Sequence, residues 1–410
     1  MCKKNASIML TLLLCSAVRC TRDFSTLPAS SANLEFSPLE KSLVQSDNAF
    51  GIGLFREIAG TEEKNRNVFV SPLSVAMALG MTLNGAAGQT EASIRNTLGL
   101  DGLTRQEINQ SFQTLMEKLY HLDPGLVLTI ANSIWSRQDF AVEKAFADDS
   151  RLYFQAPVRS LDFSLPSAAD VINAWVHENT RGKIEKIVDR IARTDILFLV
   201  NAIYFKGVWM LRFDKTLTQQ KPFALPEGSP VSCDMMSLHA DLSYWETAEF
   251  QAVNLHYGNE SFGMAIFLPK GSGTVDNLIS ALTPSTAAEW MSRFAGSKGT
   301  LNIPKFTTRY ETELSQVLSK LGMGIAFTGA ADFSRIHREG GLQITRVLHK
   351  TFVQVDEEGT EAAAVTAVVL GRGAIDGFSM TVDRPFLFLI HEKRTGAILF
   401  IGKMANPVQP

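Results

Sequence analysis

An α+β fold is predicted for this chain, on three observations. Helix-period apolar patterns dominate the first part, β-like runs dominate the later part, and no internal repeat or linker divides the body. At 410 residues and 45% hydrophobic content, the chain is long enough to bury a large core. The expected organisation is a signal segment over 1–20, a flexible tether over 21–39 and one folded domain over 40–410.

Lys3 and Lys4 precede an apolar stretch from Ile8 to Leu14, followed by the small-residue site Cys15-Ser16-Ala17. Basic, apolar and small residues in that order predict an export signal cut after Ala17, and hence a secreted protein, extracellular or periplasmic. Lipid attachment through Cys15 or Cys20 is the weaker reading. Leu14 and Arg19 stand where such signals carry a small residue. Cys2 lies in the same region, so Cys233 is the one cysteine of the body. The fold must therefore be held by packing rather than disulfides. Asn109-Gln110-Ser111 and Asn259-Glu260-Ser261 are glycosylation sequons, which matter only in a cell that glycosylates.

In chain order, Leu43, Phe50, Leu54, Phe55 and Ile58 recur at helical spacing over 38–59. Val68-Phe69-Val70 is a short strand. Ser71 caps the next helix and Pro72 fits its first turn. That helix is apolar all round (Val75, Met77, Leu79, Met81, Leu83), which predicts burial on most sides. Further helices are expected over 90–98, 106–119, 168–179 and 311–321. The runs 126–135 and 196–205 are apolar on both faces, the mark of central strands. Other strands are expected over 230–238, 250–257, 262–268, 299–306, 342–355, 378–382, 386–391 and 397–403.

Net charge is −3, with Lys and Arg scattered. No basic stripe is present to neutralise phosphates, so nucleic acid is not the expected partner. No apolar run after the first twenty residues is long enough to span a bilayer. Catalytic signatures are missing as well: there is no nucleophile elbow, phosphate loop or zinc-type His spacing. Neither enzyme activity nor a metal or cofactor is expected. Asp356, Glu357 and Glu358 are adjacent along an extended segment, where neighbouring side chains point to opposite faces. His349 interrupts an apolar strand and reads as a hydrogen-bonded core residue, with Ser71 and Asn201 as candidate partners.

The segment 357–374 is unusual. It begins acidic, runs uncharged from Ala362 to Gly371 and closes on Gly371-Arg372-Gly373. Taken alone it is a buried strand, although longer than usual and built mostly of small side chains.

Several stretches together resemble the serpin family: Asn67 to Ser74, Leu199 to Trp209, His349 to Ala364, Val382 to Phe388 and Leu399 to Pro407. They occur in order over about 38–407. The resemblance implies a large central β-sheet, further smaller sheets, about eight or nine helices and an exposed reactive loop. It implies a suicide-substrate inhibitor of serine, and by similar chemistry cysteine, endopeptidases, acting as a monomer. The alternative is a non-inhibitory binding or carrier protein on the same fold.

In that family the cleaved loop inserts into the central sheet as a new strand. The hinge and inserting segment would be Glu357, Glu358, Gly359, Thr360, Glu361, Ala362, Ala363, Ala364, Thr366, Val368 and Leu370. One face of that strand, from Thr360 through Ala362, Ala364, Thr366 and Val368 to Leu370, carries no charge. By the same analogy Ser71, Asn201 and His349 form a buried cluster and Trp209 marks the entrance. Lys305 and Glu357 pair there, at the ~0–1 kcal/mol of an exposed ion pair. Family hinge length places the cut after Gly373, before Ala374. Arg372-Gly373 is preferred, because a basic side chain suits a trypsin-like pocket. Cuts after Val369 or Leu370 would instead suit an elastase- or subtilisin-like enzyme.

Overall fold

The computed structural model describes residues 34–192, 194–360 and 377–409. The compact folded unit spans residues 36–410. The chain runs α1 (Pro38–Thr61), β1 (Val68–Val70), α2 (Pro72–Leu83), α3 (Gly88–Leu98), α4 (Arg105–His121), β2 (Val127–Arg137), α5 (Lys144–Phe154), β3 (Val158–Leu161), α6 (Ala168–Asn179) and β4 (Leu197–Val208). It continues through β5 (Gln219–Phe223), β6 (Val231–Glu246), β7 (Phe250–Tyr257), β8 (Phe262–Pro269), α7 (Val275–Ala281), α8 (Pro284–Ser292), β9 (Ala295–Pro304), β10 (Phe306–Glu313) and α9 (Ser315–Leu318). It closes with β11 (Arg346–Val355), β12 (Gly359–Thr360), β13 (Phe378–Thr381), β14 (Phe386–Glu392) and β15 (Ile398–Met404).

The α+β expectation holds. Among the described residues the strands form two sheets, one of nine and one of six. The six-stranded sheet has the order β10-β11-β12-β4-β2-β3. In the other, β6 pairs with β5, β7 and β9 along its sixteen residues, joining strand groups expected as separate small sheets.

Local chemistry explains the elements that position the six-stranded sheet. Ser37 and Glu40 form a reciprocal cap at the start of α1, with Pro38 in its first turn. All twelve residues of α2 are buried, as its all-apolar pattern requires. Ser71 caps α2 by accepting the Ser74 N–H at 3.3 Å. The opposite face of the sheet is covered by α6 and the segment after it. Ile172, Val176, Ile184 and Val188 pack there on Tyr204, Leu348 and Phe352.

Two expectations fail locally. The helix expected over 311–321 begins only at Ser315, because Tyr310–Glu313 remain paired with Thr351–Leu348 of β11. Ladder bonds along a packed sheet outweigh the weak helical bias of those residues. The strand expected over 230–238 runs on to Glu246, held by β9 and then β7. In addition, the Asn109 sequon is sealed. Asn109 is buried and exchanges two amide hydrogen bonds with Asn84, at 2.9 and 3.0 Å.

Asp47 is buried in α1, and both its carboxylate oxygens lack a hydrogen-bond partner. Burial raises its pKa well above the usual carboxylate value. A raised folded pKa makes this group destabilising once the pH exceeds its unfolded value, and neutral below it. Asp47→Asn is therefore expected to stabilise the protein by about 1–2 kcal/mol at pH 7. The gain should vanish as the pH approaches 4. Thermal melts of both proteins across that range test it, and an equal difference at every pH would refute the assignment.

Candidate functional site

β4 and β11 are parallel neighbours over seven residue pairs, Phe198–Tyr204 against Arg346–Phe352. Beyond Tyr204 they part, and β12 lies between them, antiparallel to both. The chain reverses into β12 through a tight hairpin. Asp356 N–H donates to Gly359 O at 2.9 Å and Gly359 N–H to Asp356 O at 3.3 Å, leaving Glu357 and Glu358 at the tip.

Two glycines make this arrangement possible. Gly359 has φ +152°, and a Cβ there would lie 2.2 Å from Gly207 O. At Gly207 a Cβ would stand 2.8 Å from the Tyr257 ring. That ring stacks on Trp209 with centroids 4.4 Å apart, and the Tyr257 hydroxyl lies 2.7 Å from Thr360 Oγ1. Thr360 is fully buried, so the first loop residue within the sheet is already packed and hydrogen-bonded.

The segment after β4 clips the hairpin tip in place. Trp209 donates its backbone N–H to Glu358 O and its indole N–H to Asp356 O, each at 2.9 Å. Phe213 N–H donates to Glu357 O at 2.9 Å. The Glu357 carboxylate accepts from Thr218 Oγ1 at 2.8 Å and from Lys305 Nζ at 2.9 Å. Glu358 pairs with Lys215.

The Lys305–Glu357 pair differs from the exposed pair the sequence suggests. The Lys305 side chain is 37% exposed but that of Glu357 only 5%. Burial acts to raise the Glu357 pKa, but the Lys305 and Thr218 contacts outweigh it and hold the carboxyl below its usual value.

Deeper in the sheet, where β4 and β11 are still paired, lies a polar cluster. His349 stands directly opposite Asn201, which stands directly opposite Asn132 of β2. His349 Nδ1 is 2.5 Å from Asn201 Oδ1. His349 Nε2 accepts the Ser71 N–H at 3.2 Å. An accepting Nε2 requires the proton on Nδ1, so the ring is neutral and donates to Asn201. Asn201 Nδ2 in turn faces Ser74 O at 2.9 Å, Ser74 Oγ at 2.5 Å and Asn132 Oδ1 at 2.5 Å. Burial drives the His349 pKa down to about 3, which keeps the ring uncharged at neutral pH.

The structure thus brings Ser71, Asn201 and His349 together, and separately Trp209, Lys305, Glu357, Glu358, Gly359 and Thr360. Ser71 contacts His349 through its backbone N–H rather than the expected polar side chain, because its hydroxyl is used to cap α2. Glu361 to Ala364, Thr366, Val368, Leu370 and Arg372 to Ala374 lie outside the described residues. Sequence reasoning missed Ser74, Asn132, Tyr257, Thr218 and Lys215. Asn132 carried a signal, since it is a polar residue in an apolar strand like His349. Thr218 and Lys215 carried none.

Fold and site define a class of protein in which a hairpin of the chain's own lies between the ends of two parallel strands of the sheet. The family model described as "Serpin (serine protease inhibitor)" matches residues 45–407, and the chain belongs to the serpin family. It is 33% identical over 393 residues to a serpin-like protein of Thermococcus kodakarensis, covering 94% of this chain and 90% of that one. Corticosteroid-binding globulin of Pongo abelii is 31% identical over 373 residues, with 90% and 91% covered. The crystal structure of the thermophilic serpin tengpin in its native state superposes with a TM-score of 0.83 at 31% identity, over 91% of this chain and 95% of that one.

Removing the imidazole from His349→Ala leaves the Ser71 N–H and Asn201 Oδ1 without their partner. The expected cost is about 2–5 kcal/mol, with self-association on mild heating. An unchanged melt and a monomeric elution profile after heating would contradict this. Acid acts in the same direction. The folded pKa of His349 lies below its unfolded value, so stability from the neutral ring is present above about pH 6.5 and lost as the pH falls toward about 3.

Lys305→Ala strands a buried carboxylate and should cost about 1–2 kcal/mol, discounted for the exposure of the lysine. Glu357→Gln in the same background should recover part of that loss. Denaturant titration of the single and double variants decides it, and equal stability of the two would refute the pairing argument.

Proposed function

We propose that this chain is a suicide-substrate inhibitor of serine endopeptidases, with trypsin-like enzymes favoured as targets. The supporting observation is β12, which occupies the space between β11 and β4 with its hairpin turn formed. The residues that follow Thr360 would continue that strand into the sheet once β4 and β11 part. In this reading the protease serine attacks the Arg372 carbonyl and an ester replaces the Arg372–Gly373 amide bond. The proton passes through the protease histidine to the departing amine of Gly373. The acylated strand then inserts antiparallel to both neighbours and carries the enzyme with it.

Magnitudes agree with trapping. Extending β12 forms on the order of ten backbone hydrogen bonds at about 1 kcal/mol each. Loss of one oxyanion-hole donor costs a serine protease about 2.7–4 kcal/mol of transition-state stabilisation. Insertion is therefore strong enough to distort the captured enzyme and stall deacylation. Export through the basic and apolar N-terminal segment belongs to the same proposal. Among the described residues no helix is long and apolar enough to cross a membrane.

One observation favours the carrier reading. A cavity of about 490 Å³ lies between α1, α8 and the strands β14 and β15, with Ile52, Met291, Phe294 and Leu389 among its apolar lining. His256 and His391 stand at its wall. One relative is named as a binding globulin.

A single assay separates the two. Incubation with trypsin, elastase and subtilisin, followed by a denaturing gel, should give an SDS-stable complex with trypsin. Mass spectrometry should find a released peptide beginning at Gly373. Cleavage by all three enzymes with no complex would leave the carrier reading in its place.

A further inference from the structure

A cleft of about 620 Å³ opens between α1, α7 and β15, and it shares no residue with the hinge or with the cavity beside α8. Its α1 wall is Gly53, Arg56, Glu57 and Gly60, which recur at i, i+3, i+4 and i+7 and so share one face of the helix. A Cβ at Gly60 would meet nothing within 4 Å, and one at Gly53 would meet only Leu321, at 3.8 Å. The two glycines therefore leave the groove open. Ile279 of α7 and Leu321 add an apolar wall.

Lys403 also lines this cleft. It stands on β15 directly opposite Val68 of β1 and Leu387 of β14, both fully buried, and is itself only 2% exposed. An ammonium group at such depth needs close partners, because desolvation costs it more than a distant charge returns. Among the described residues Lys403 has one, Asp276 Oδ1 at 3.4 Å, on a side chain that is 59% exposed. A charge-assisted hydrogen bond is shorter, at about 2.7–2.9 Å.

Most other charges around the cleft are already matched. Lys64 pairs with Glu227 at 2.8 Å and Glu57 with Lys320 at 3.7 Å. Glu62 pairs with Arg66 at 3.2 Å and accepts from the Tyr310 hydroxyl at 2.7 Å. Arg56 has no hydrogen bond or ion pair among the described residues. Two cations, Arg56 and Lys403, are left against the single carboxylate of Asp276, an excess of one positive charge.

We infer that this cleft binds a small organic monocarboxylate, its carboxylate held by Lys403 and Arg56 and its hydrocarbon part lying against Gly53, Gly60, Ile279 and Leu321. The guanidinium offers paired N–H donors that match two carboxylate oxygens, and the lysine adds a point charge from the sheet. One excess charge suits a monoanion. The second charge of a dianion such as phosphate would be repelled by Glu57, Glu62 and Asp276. The site is independent of the inhibitory reading, since it uses no residue of the reactive loop.

Calorimetric titration of the full chain with hexanoate, hexanol and inorganic phosphate tests this. Hexanoate should bind at one site and raise the melting temperature as its concentration rises. Hexanol and phosphate should each bind at least about tenfold more weakly. Lys403→Met keeps the buried stem without the charge and should weaken hexanoate about 10–100-fold. Arg56→Gln, on the exposed face of α1, should weaken it about 3–10-fold and leave the melting temperature of the free protein within about 1 °C. This second variant tests the site even if Lys403→Met fails to fold. No saturable hexanoate binding up to about 10 mM would overturn the inference. So would equal binding of hexanoate and hexanol, tighter binding of phosphate, or an unchanged affinity in Arg56→Gln.

Discussion

Everything in this fold turns on one weak seam. β4 and β11 meet as parallel neighbours inside a sheet whose other described pairings include long antiparallel ladders, and they meet over only seven residue pairs. The parallel pairing is the less stable per residue. At this seam the core holds a buried polar cluster instead of apolar side chains alone. A neutral imidazole, two amides and the N-terminus of α2 satisfy one another there, with Asn132 Nδ2 left over. Such a cluster stabilises the closed sheet while complete and penalises partial opening, because each separated group is left buried and unpaired. It therefore holds β4 and β11 together at this level.

The entrance obeys a different rule. There the determinants are steric, and the two glycines carry them. Gly359 passes against the backbone of Gly207 and Val208, and Gly207 gives Tyr257 room beneath it. Around that contact the tip is held by backbone donors from Trp209 and Phe213 and by the Lys305 and Lys215 ion pairs. In the charged contacts the lysines are partly exposed while the carboxylates of Glu357 and Glu358 are largely buried. The aromatic stack of Trp209 on Tyr257 and the Thr360 hydroxyl contact lie within. Rim and core of the seam are thus physically separate: β12 has its turn at the rim, while β4 and β11 are paired directly at the level of His349.

Much of this was legible from residue types. An all-apolar helix opening on Ser-Pro, strands apolar on both faces and a histidine alone in an apolar strand each forecast burial, and each is buried. Boundaries failed where a neighbouring strand decided them, as at Glu311–Glu313 and along β6. Asn132 escaped notice although it broke its strand's pattern as His349 does. The helices α7 and α8 also went unforeseen, despite Thr274 and Thr283 forming reciprocal caps with Asn277 and Thr286.

By itself, the sequence determined the kinds of element, the buried faces and the membership in a family whose motifs occur in order. Those properties are local, because periodicity, capping and side-chain polarity act within a few residues. Only the tertiary structure decided that His349 and Asn201, 148 residues apart, share one hydrogen bond, and that Glu357 is buried while its partner Lys305 is not. Register across β4, β11 and β12 was equally beyond the sequence, since strand pairing depends on which distant backbone lies alongside.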